Sequence, residues 1–402
     1  MNNQFDKIAD RSVRLLQSLA TQIQSQKQEL NETSYYQVYS KSAVAKLPKL
    51  TRASVDYAVS EMEGRGYRFE KRQAGSSSKY AMTIQNIIDI YHYRGIPKYR
   101  DRYNEAFTVF IGNLKGGVSK TVSTVSLAHA LRTHPHLILE DLRVLVIDLD
   151  PQSSATMFLN HIQSVGAVET TSAQAMLQNV SREELLAEFI LPSVVDGVDV
   201  IPASIEDAFI ASQWDILCAE HLPYQNIYTV LRNNIIDKVK QDYDIIFIDS
   251  GPHLDAFLSN AIAAADILMT PVPPAQVDFH STLKYLVRLP ELIDLIESTG
   301  EKVKLISNIG FMSKLINKTD HKLCHSLAKE IFGGDMLDVA LPRLDGFERC
   351  GESFDTVISA NPATYIGSVE ALKNAKNAAE DFAKAVFDRI EFLRMNRGYY
   401  AN

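Results

Sequence analysis

The sequence predicts an α/β fold: a doubly wound, mostly parallel sheet, preceded by a long N-terminal helix and a small winged helix-turn-helix. Three observations predict it. From Phe107 onward, short apolar runs alternate with helical segments. Residues 36–92 read helix, turn, helix, hairpin. Ahead of them, an apolar stripe recurs at steps of three and four through residues 5–30.

The stripe consists of Phe5, Ile8, Leu15, Leu16, Leu19, Ile23 and Leu30, in a segment 1–47 that lacks Gly and Pro. Such spacing puts one apolar face on a helix. A helix of about 28 residues is roughly 42 Å long at about 1.5 Å per residue. The small segment after it cannot cover it. A second subunit is the expected partner, which makes residues 1–35 a dimerisation helix; packing on the chain's own larger domain is the alternative.

In residues 36–100, a short helix near Gln37–Leu47 is expected to stop at Pro48, because proline cannot donate to the preceding turn. Thr51 is a good N-cap for the next helix, Thr51–Glu63. Val55, Val59 and Met62 would bury one of its faces. Tyr67–Arg72 and Lys79–Ile84 alternate like two strands around a flexible tip, Ala74–Ser78, with a helix at Gln85–Tyr93. Gly95, Pro97 and the run Lys98–Tyr103 read as a linker. Residues 101–402 would form the third unit.

There, the strand candidates are Thr108–Ile111, Arg143–Ile147, Val198–Ile201, Ile245–Ile248, Ile267–Thr270 and Lys304–Asn308. Continuous apolar strands indicate a parallel sheet covered on both faces. Ser368–Met395 reads as a long final helix.

Chemistry enters where the first of these strands meets a helix. Thr108–Ile111 runs into Asn113-Leu114-Lys115-Gly116-Gly117-Val118-Ser119-Lys120-Thr121, and a helix from Val122 comes next. This is the setting of a phosphate loop. Gly116 and Gly117 let backbone approach an anion, and the N–H groups through Val122 face it. Lys120 would reach β/γ-phosphates, and the Thr121 hydroxyl would ligate Mg²⁺. The usual glycine positions hold Leu114 and Ser119, so the loop alone is a partial match. Two more strands end in acids, Asp148 with Asp150 and Asp249. Strand ends of an open parallel sheet are where ligands bind. A lone strand-end Asp often only caps a helix; three beside a phosphate loop suit Mg²⁺ and an attacking water, with Asp249 acting through water. Lys115, a second lysine in one loop, is best used across a dimer interface as a transition-state charge stabiliser.

Composition sets limits. The chain has 402 residues, 46% hydrophobic and 22% charged, typical of a globular protein of two or three domains. Its three cysteines, Cys218, Cys324 and Cys350, are widely spaced, which argues against a disulfide framework or zinc site and for a reducing cytoplasm. No signal peptide and no membrane-spanning run are expected. Residues 1–100 hold 16 Lys and Arg against nine Asp and Glu, a net of +7, so the rest carries −15 of the total of −8. A basic N-terminal part on an acidic body suggests a nucleic-acid module on a catalytic domain; a solvated basic face is the plainer alternative.

The motifs K-G-G-x-x-K-T, V-I-D-x-D-P-Q and I-x-I-D, with Val200–Ser204 and Leu341-Pro342-Arg343, resemble those of the deviant Walker ATPases of the ParA/Soj/MinD group. Residues 1–100 resemble the N-terminal extension of the larger partition ATPases. The resemblance implies a P-loop ATPase using ATP/ADP and Mg²⁺, with nucleotide contacts from Lys115 through Val122. It implies that Lys115 crosses a homodimer, Lys120 and Thr121 act in cis, Asp150 orients the hydrolytic water with Asp148 beside it, and Asp249 is the Walker B acid. Asn308 and Pro342 would edge the adenine. It also implies a ParB-type centromere-binding partner and a cytoplasmic, nucleoid-associated protein.

If Thr51–Glu63 is a recognition helix, Thr51, Arg52 and Ser54 occupy its base-reading first turn, with Arg52 aimed at guanine. Lys41, Lys46, Lys49, Lys71, Arg72 and Lys79 would meet the phosphates of operator DNA. Arg349, with Arg343, Lys314 and Lys318 nearby, is the candidate for non-specific DNA; a salt bridge to Glu348 or Glu352 is the alternative. A MinD-like membrane-cycling ATPase is the competing function, but residues 381–394 mix acids and bases and make a poor anionic-membrane anchor.

Overall fold

A computed structural model of the chain describes residues 2–29, 34–74, 77–161 and 168–397. Eight strands form one sheet: β3 (Phe107–Ile111), β4 (Val144–Asp148), β5 (Leu191–Pro192), β6 (Val198–Ile201), β7 (Ile245–Asp249), β8 (Ile267–Val272), β9 (Ser307–Leu315) and β10 (Leu341–Pro342). Their order is β10-β9-β8-β3-β7-β4-β6-β5, and every pairing is parallel except β5 with β6. The fold is thus doubly wound. One face packs on the helices Lys120–Thr133 and Val369–Arg397; the other packs on Ser172–Gln178, Trp214–His221, Ala256–Ala264 and Gln276–Glu297. The central strands β3, β4 and β7 are buried at every position, which is why they read as unbroken apolar runs.

The N-terminal part is built as helix, turn, helix and hairpin. The helix Arg52–Gly64 starts at Thr51, whose hydroxyl accepts the Ser54 N–H while the Ser54 hydroxyl accepts the Thr51 N–H. Strands β1 (Lys71–Ala74) and β2 (Ser77–Tyr80) pair antiparallel as a wing, and Ile84–Tyr93 closes the unit. Gly75 and Ser76 of the expected tip lie outside the described residues. The expected helix at Gln37–Leu47 shrinks to Lys41–Val44. Its start is displaced because Tyr39 pairs as an extended residue with Met82, and Ser40 caps the shortened helix.

Asn2–Glu29 is one helix. Every described side chain on it is exposed, Phe5 at 75% and Leu15 at 60%, so the stripe lacks cover from the described residues of this chain. The Ile23 side chain and Leu30 fall outside the described atoms.

Further expectations need correction. The wing strands fall at Lys71–Ala74 and Ser77–Tyr80 rather than Tyr67–Arg72 and Lys79–Ile84, so Ala74, Ser77 and Ser78 of the expected tip are strand residues. The last strand candidate, Lys304–Asn308, is displaced: β9 begins at Ser307 and runs on to Leu315. The segment Lys98–Tyr103 is not a free linker. Tyr99 and Tyr103 are buried, and Arg102 bridges Glu140 at 2.9 Å and Glu391 at 3.1 Å. Arg394 of the last helix, only 2% exposed, donates to the Tyr99 hydroxyl at 2.9 Å and the Glu105 carbonyl at 2.6 Å, and lies 4.1 Å from the Tyr103 ring centroid. Tyrosines that look like solvated linker are the cage of a buried guanidinium, so the polar-run signal misleads.

Arg394→Ala leaves those acceptors unpaired and opens a cavity, and is expected to cost about 2–4 kcal/mol. Phe392→Ala, two residues away and exposed, should stay within about 0.5 kcal/mol. Urea unfolding midpoints of both variants check this, and equal losses would refute the cage.

Candidate nucleotide site

The loop between β3 and the helix Lys120–Thr133 borders a cleft of about 370 Å³. Gly116 through Val122, Asp150 and Pro342 line it. Gly117 sits at φ +72, a left-handed conformation natural to glycine. Ser119, at φ +74, adopts the same region against its Cβ, where the commoner loop has glycine.

Lys120 is 7% exposed, and burial pushes its ammonium below the usual lysine range, opposed by the charges of Asp249 and Asp150. Its Nζ donates to the Lys115 carbonyl at 3.2 Å, across the loop. One residue on, the Thr121 hydroxyl donates to Asp249 Oδ2 at 2.7 Å, and Thr124 donates to Oδ1 at 3.1 Å. Thr124 was not legible as a site residue; its place one turn after Thr121 is the signal. Asp249 ends β7, directly opposite Asp148 at the end of β4. Burial drives both carboxyls above the usual carboxylate range, and the charge of Asp249 adds to the rise at Asp148.

Like Asp249, Asp148 is fully buried and does not line the cleft, contrary to the sequence grouping. Its Oδ2 accepts the Thr156 N–H at 2.8 Å and hydroxyl at 2.7 Å, and its Oδ1 accepts the Asp150 N–H at 3.1 Å. Those bonds shape the turn that delivers Asp150 to the cleft. Asp150 Oδ1 accepts the Gln152 N–H at 3.0 Å. A Cβ on Gly251 would come within 3.3 Å of that same oxygen, so glycine keeps this flank open.

Lys115 stands apart from the cleft lining. Its backbone N–H donates to Asn113, and its ammonium pairs with Asp278 at 3.3 Å. Asn308 is a correction. It is the second residue of β9, where its Oδ1 accepts from Thr270, so it lies about 20 Å of strand away from Lys314 at the cleft end. The misplaced strand end caused that error. Lys314 and Arg343, read as DNA contacts, line the cleft with Pro342.

Of the DNA candidates, Arg52 keeps 92% of its side chain exposed, with Asp56 3.9 Å away. Thr51 and Ser54 spend their hydroxyls on the helix cap. Lys41 pairs with Asp56 at 3.0 Å and Lys71 with Glu63 at 2.7 Å. Lys46, Lys49, Arg72 and Lys79 are exposed. Arg349 is half-exposed, with Glu352 3.9 Å away.

Comparison with known proteins supplies the family. The ParA helix turn helix domain family matches residues 12–103, and an AAA domain family matches 106–304. Over 98% of this chain and 99% of its relative, the sequence is 73% identical to Plasmid partition protein A of Escherichia coli. The chain belongs to the ParA family of plasmid partition ATPases. A solved structure titled Partition Protein is 52% identical over 94% of this ParA-family chain and 98% of its own, with a TM-score of 0.77. Cobyrinic acid a,c-diamide synthase from Mycobacterium smegmatis, solved with a bound ATP analog and magnesium, shares the fold at 19% identity over 71% of this chain and 96% of its own, with a TM-score of 0.51.

The raised Asp249 carboxyl gives this ParA-family protein a signature in pH. Its folded form prefers the proton, so this group's contribution to stability falls as pH rises from about 4 to about 7. Asp249→Asn should therefore stabilise the nucleotide-free protein at pH 8, on the order of a few kcal/mol, and give little gain at pH 4. Urea unfolding at both pH values tests it; an equal effect at both would contradict the burial argument.

Proposed function

We propose that this partition ATPase binds and hydrolyses Mg·ATP in the cleft beside Lys120, and that nucleotide governs how it holds DNA. The observation that carries the reading is the Thr121–Asp249 contact of 2.7 Å at the start of the loop's helix. It offers one hydroxyl and one carboxylate, as suits a cation that keeps most of its waters. No cluster of three or more His, Cys, Asp or Glu able to hold a metal occurs among the described residues, consistent with phosphates and water completing the set. Thr121 and Asp249 would hold Mg²⁺, which would supply charge neutralisation for the phosphates. Lys120 and the loop N–H groups hold the phosphate oxygens. Asp150, at the cleft edge, orients the attacking water, and Asp148 braces its turn. Pro342 borders the base or ribose. Lys115 serves the partner's phosphates once it leaves Asp278.

We also propose three working units, residues 1–35, 36–100 and 101–402. The first makes a homodimer through the exposed stripe. The second reads operator DNA and represses the chain's own operon. The third, in the ATP state, binds DNA without sequence preference through a surface that includes Arg349, and a ParB-type centromere-bound partner stimulates its turnover. The protein then works in the cytoplasm on the nucleoid. No helix among the described residues is long and apolar enough to cross a membrane. The C-terminal helix is tied to the body through Arg389 and Arg394, which favours the partition reading over a membrane-cycling one.

Lys120→Ala is expected to lose ATP binding at least tenfold. Asp150→Ala should keep binding and lose turnover by about 10²–10⁴-fold. Equilibrium nucleotide titration and phosphate release separate the two, and normal turnover in Asp150→Ala overturns the assignment. A chain starting at residue 36 should be monomeric without nucleotide at concentrations where the full chain is a dimer; light scattering decides, and equally tight dimers would assign the stripe another partner.

A further inference from the structure

The helix Arg52–Gly64 has two unlike flanks. Val55, Ala58, Val59 and Met62 are its buried face. At about 100° per residue, the face directly opposite carries Ala53, Tyr57, Ser60 and Gly64. Tyr57 projects from its middle, 63% exposed. On the flank toward the wing, two cations are paired with the helix's own acids: Asp56 holds Lys41, and Glu63 holds Lys71 while accepting the Tyr80 hydroxyl at 2.9 Å; Arg52, on the same flank, stays 92% exposed. The other flank opens onto a groove of about 760 Å³. Ser54, Tyr57 and Arg65 form one bank, spaced along roughly 17 Å of helix at about 1.5 Å per residue. Tyr93 and Arg94 form the other. The Arg65 guanidinium lies 5.5 Å from the Tyr93 ring centroid, and its nearest carboxylate, Glu61, is 3.9 Å away and does not line the groove.

We propose that the DNA-contacting surface of this unit is the Tyr57 face with the Arg65–Arg94 groove, and not the paired lysines Lys41 and Lys71. This rests on the reading of residues 36–100 as an operator-binding module. The occupant is duplex DNA. The groove presents two guanidiniums, two aromatic rings and no lining carboxylate, which suits a polyanion with flat bases. Tyr57 enters the major groove and meets base edges, where its ring packs on a thymine methyl or its hydroxyl bonds a base. Arg94 and Arg65 take phosphates of one strand and set the register. Lys71 and Lys41, already paired with carboxylates of the helix, contribute little net field there.

The test uses the full chain with ADP and a pool of randomised DNA duplexes. The wild-type protein first selects a sequence; its selected duplex and a scrambled duplex are then titrated by fluorescence anisotropy at several salt concentrations. Arg94→Ala should weaken both duplexes alike and lower the salt slope by about 0.9. Tyr57→Ala should weaken the selected duplex on the order of tenfold and the scrambled one little, so that selectivity falls. Lys71→Ala should change the salt slope by less than Arg94→Ala. Because Tyr57 and Arg94 are not buried, folding should survive, and ATP binding by each variant verifies it. If Tyr57→Ala and Arg94→Ala match wild type on the selected duplex, the surface is wrong while the operator-binding reading stands; a peptide or protein occupant would give that result. If wild type enriches no sequence, the operator-binding reading falls and takes this surface with it.

Discussion

The site is organised around a buried carboxylate that the sheet cannot solvate. Asp249 ends the central strand β7, fully covered, and Thr121 and Thr124 clamp its two oxygens from the neighbouring helix. That clamp fixes where the helix begins, and hence where the loop's N–H groups and Lys120 point. Beside it, Asp148 meets the same problem on β4 and is satisfied by Thr156 and the Asp150 N–H. Two buried acids side by side on adjacent strands repel each other, and Lys120 offsets only part of that charge.

The same burial explains what could be read from sequence. The strands β3, β4, β6 and β7 are buried nearly throughout, so their composition announced them and their ends carried the acids to one edge. The loop motif was legible because its chemistry is local. Asn308 was misassigned because β9 is only partly buried at its start, where Ser307 and Asn308 give no apolar signal, and the strand's apolar core lies further on. The Lys98–Tyr103 segment was misread for the opposite reason. Its partner, Arg394, is nearly 300 residues away in the chain, and no local pattern reports such a contact.

In the N-terminal unit, charge was countable but pairing was not. The sequence supplies a net of +5 over residues 41–79, yet Asp56 and Glu63 face the very lysines that make that excess. Hydroxyls that look ready to read bases, on Thr51 and Ser54, instead begin the helix. Net charge describes a long-range field, whereas recognition depends on which groups remain uncommitted once the helix has satisfied its own ends.

The turn after the phosphate-loop helix has a wider consequence. Ile138 and Leu139 come a few residues after that helix, yet they are buried in the hydrophobic core of the winged unit, with Val44, Val55 and Ile87. Close by, Asp141 accepts from Arg132 of the same helix at 2.7 Å, and its carboxylate sits 3.4 Å from His92 of the winged unit. The winged unit therefore has part of its core supplied by the segment that follows the phosphate-loop helix. Lineages that exchange such modules cannot cut cleanly near residue 100, because a transplanted winged unit would arrive with a hole where Ile138 and Leu139 belong. The two halves must be inherited, or engineered, with residues 138–141 as shared property.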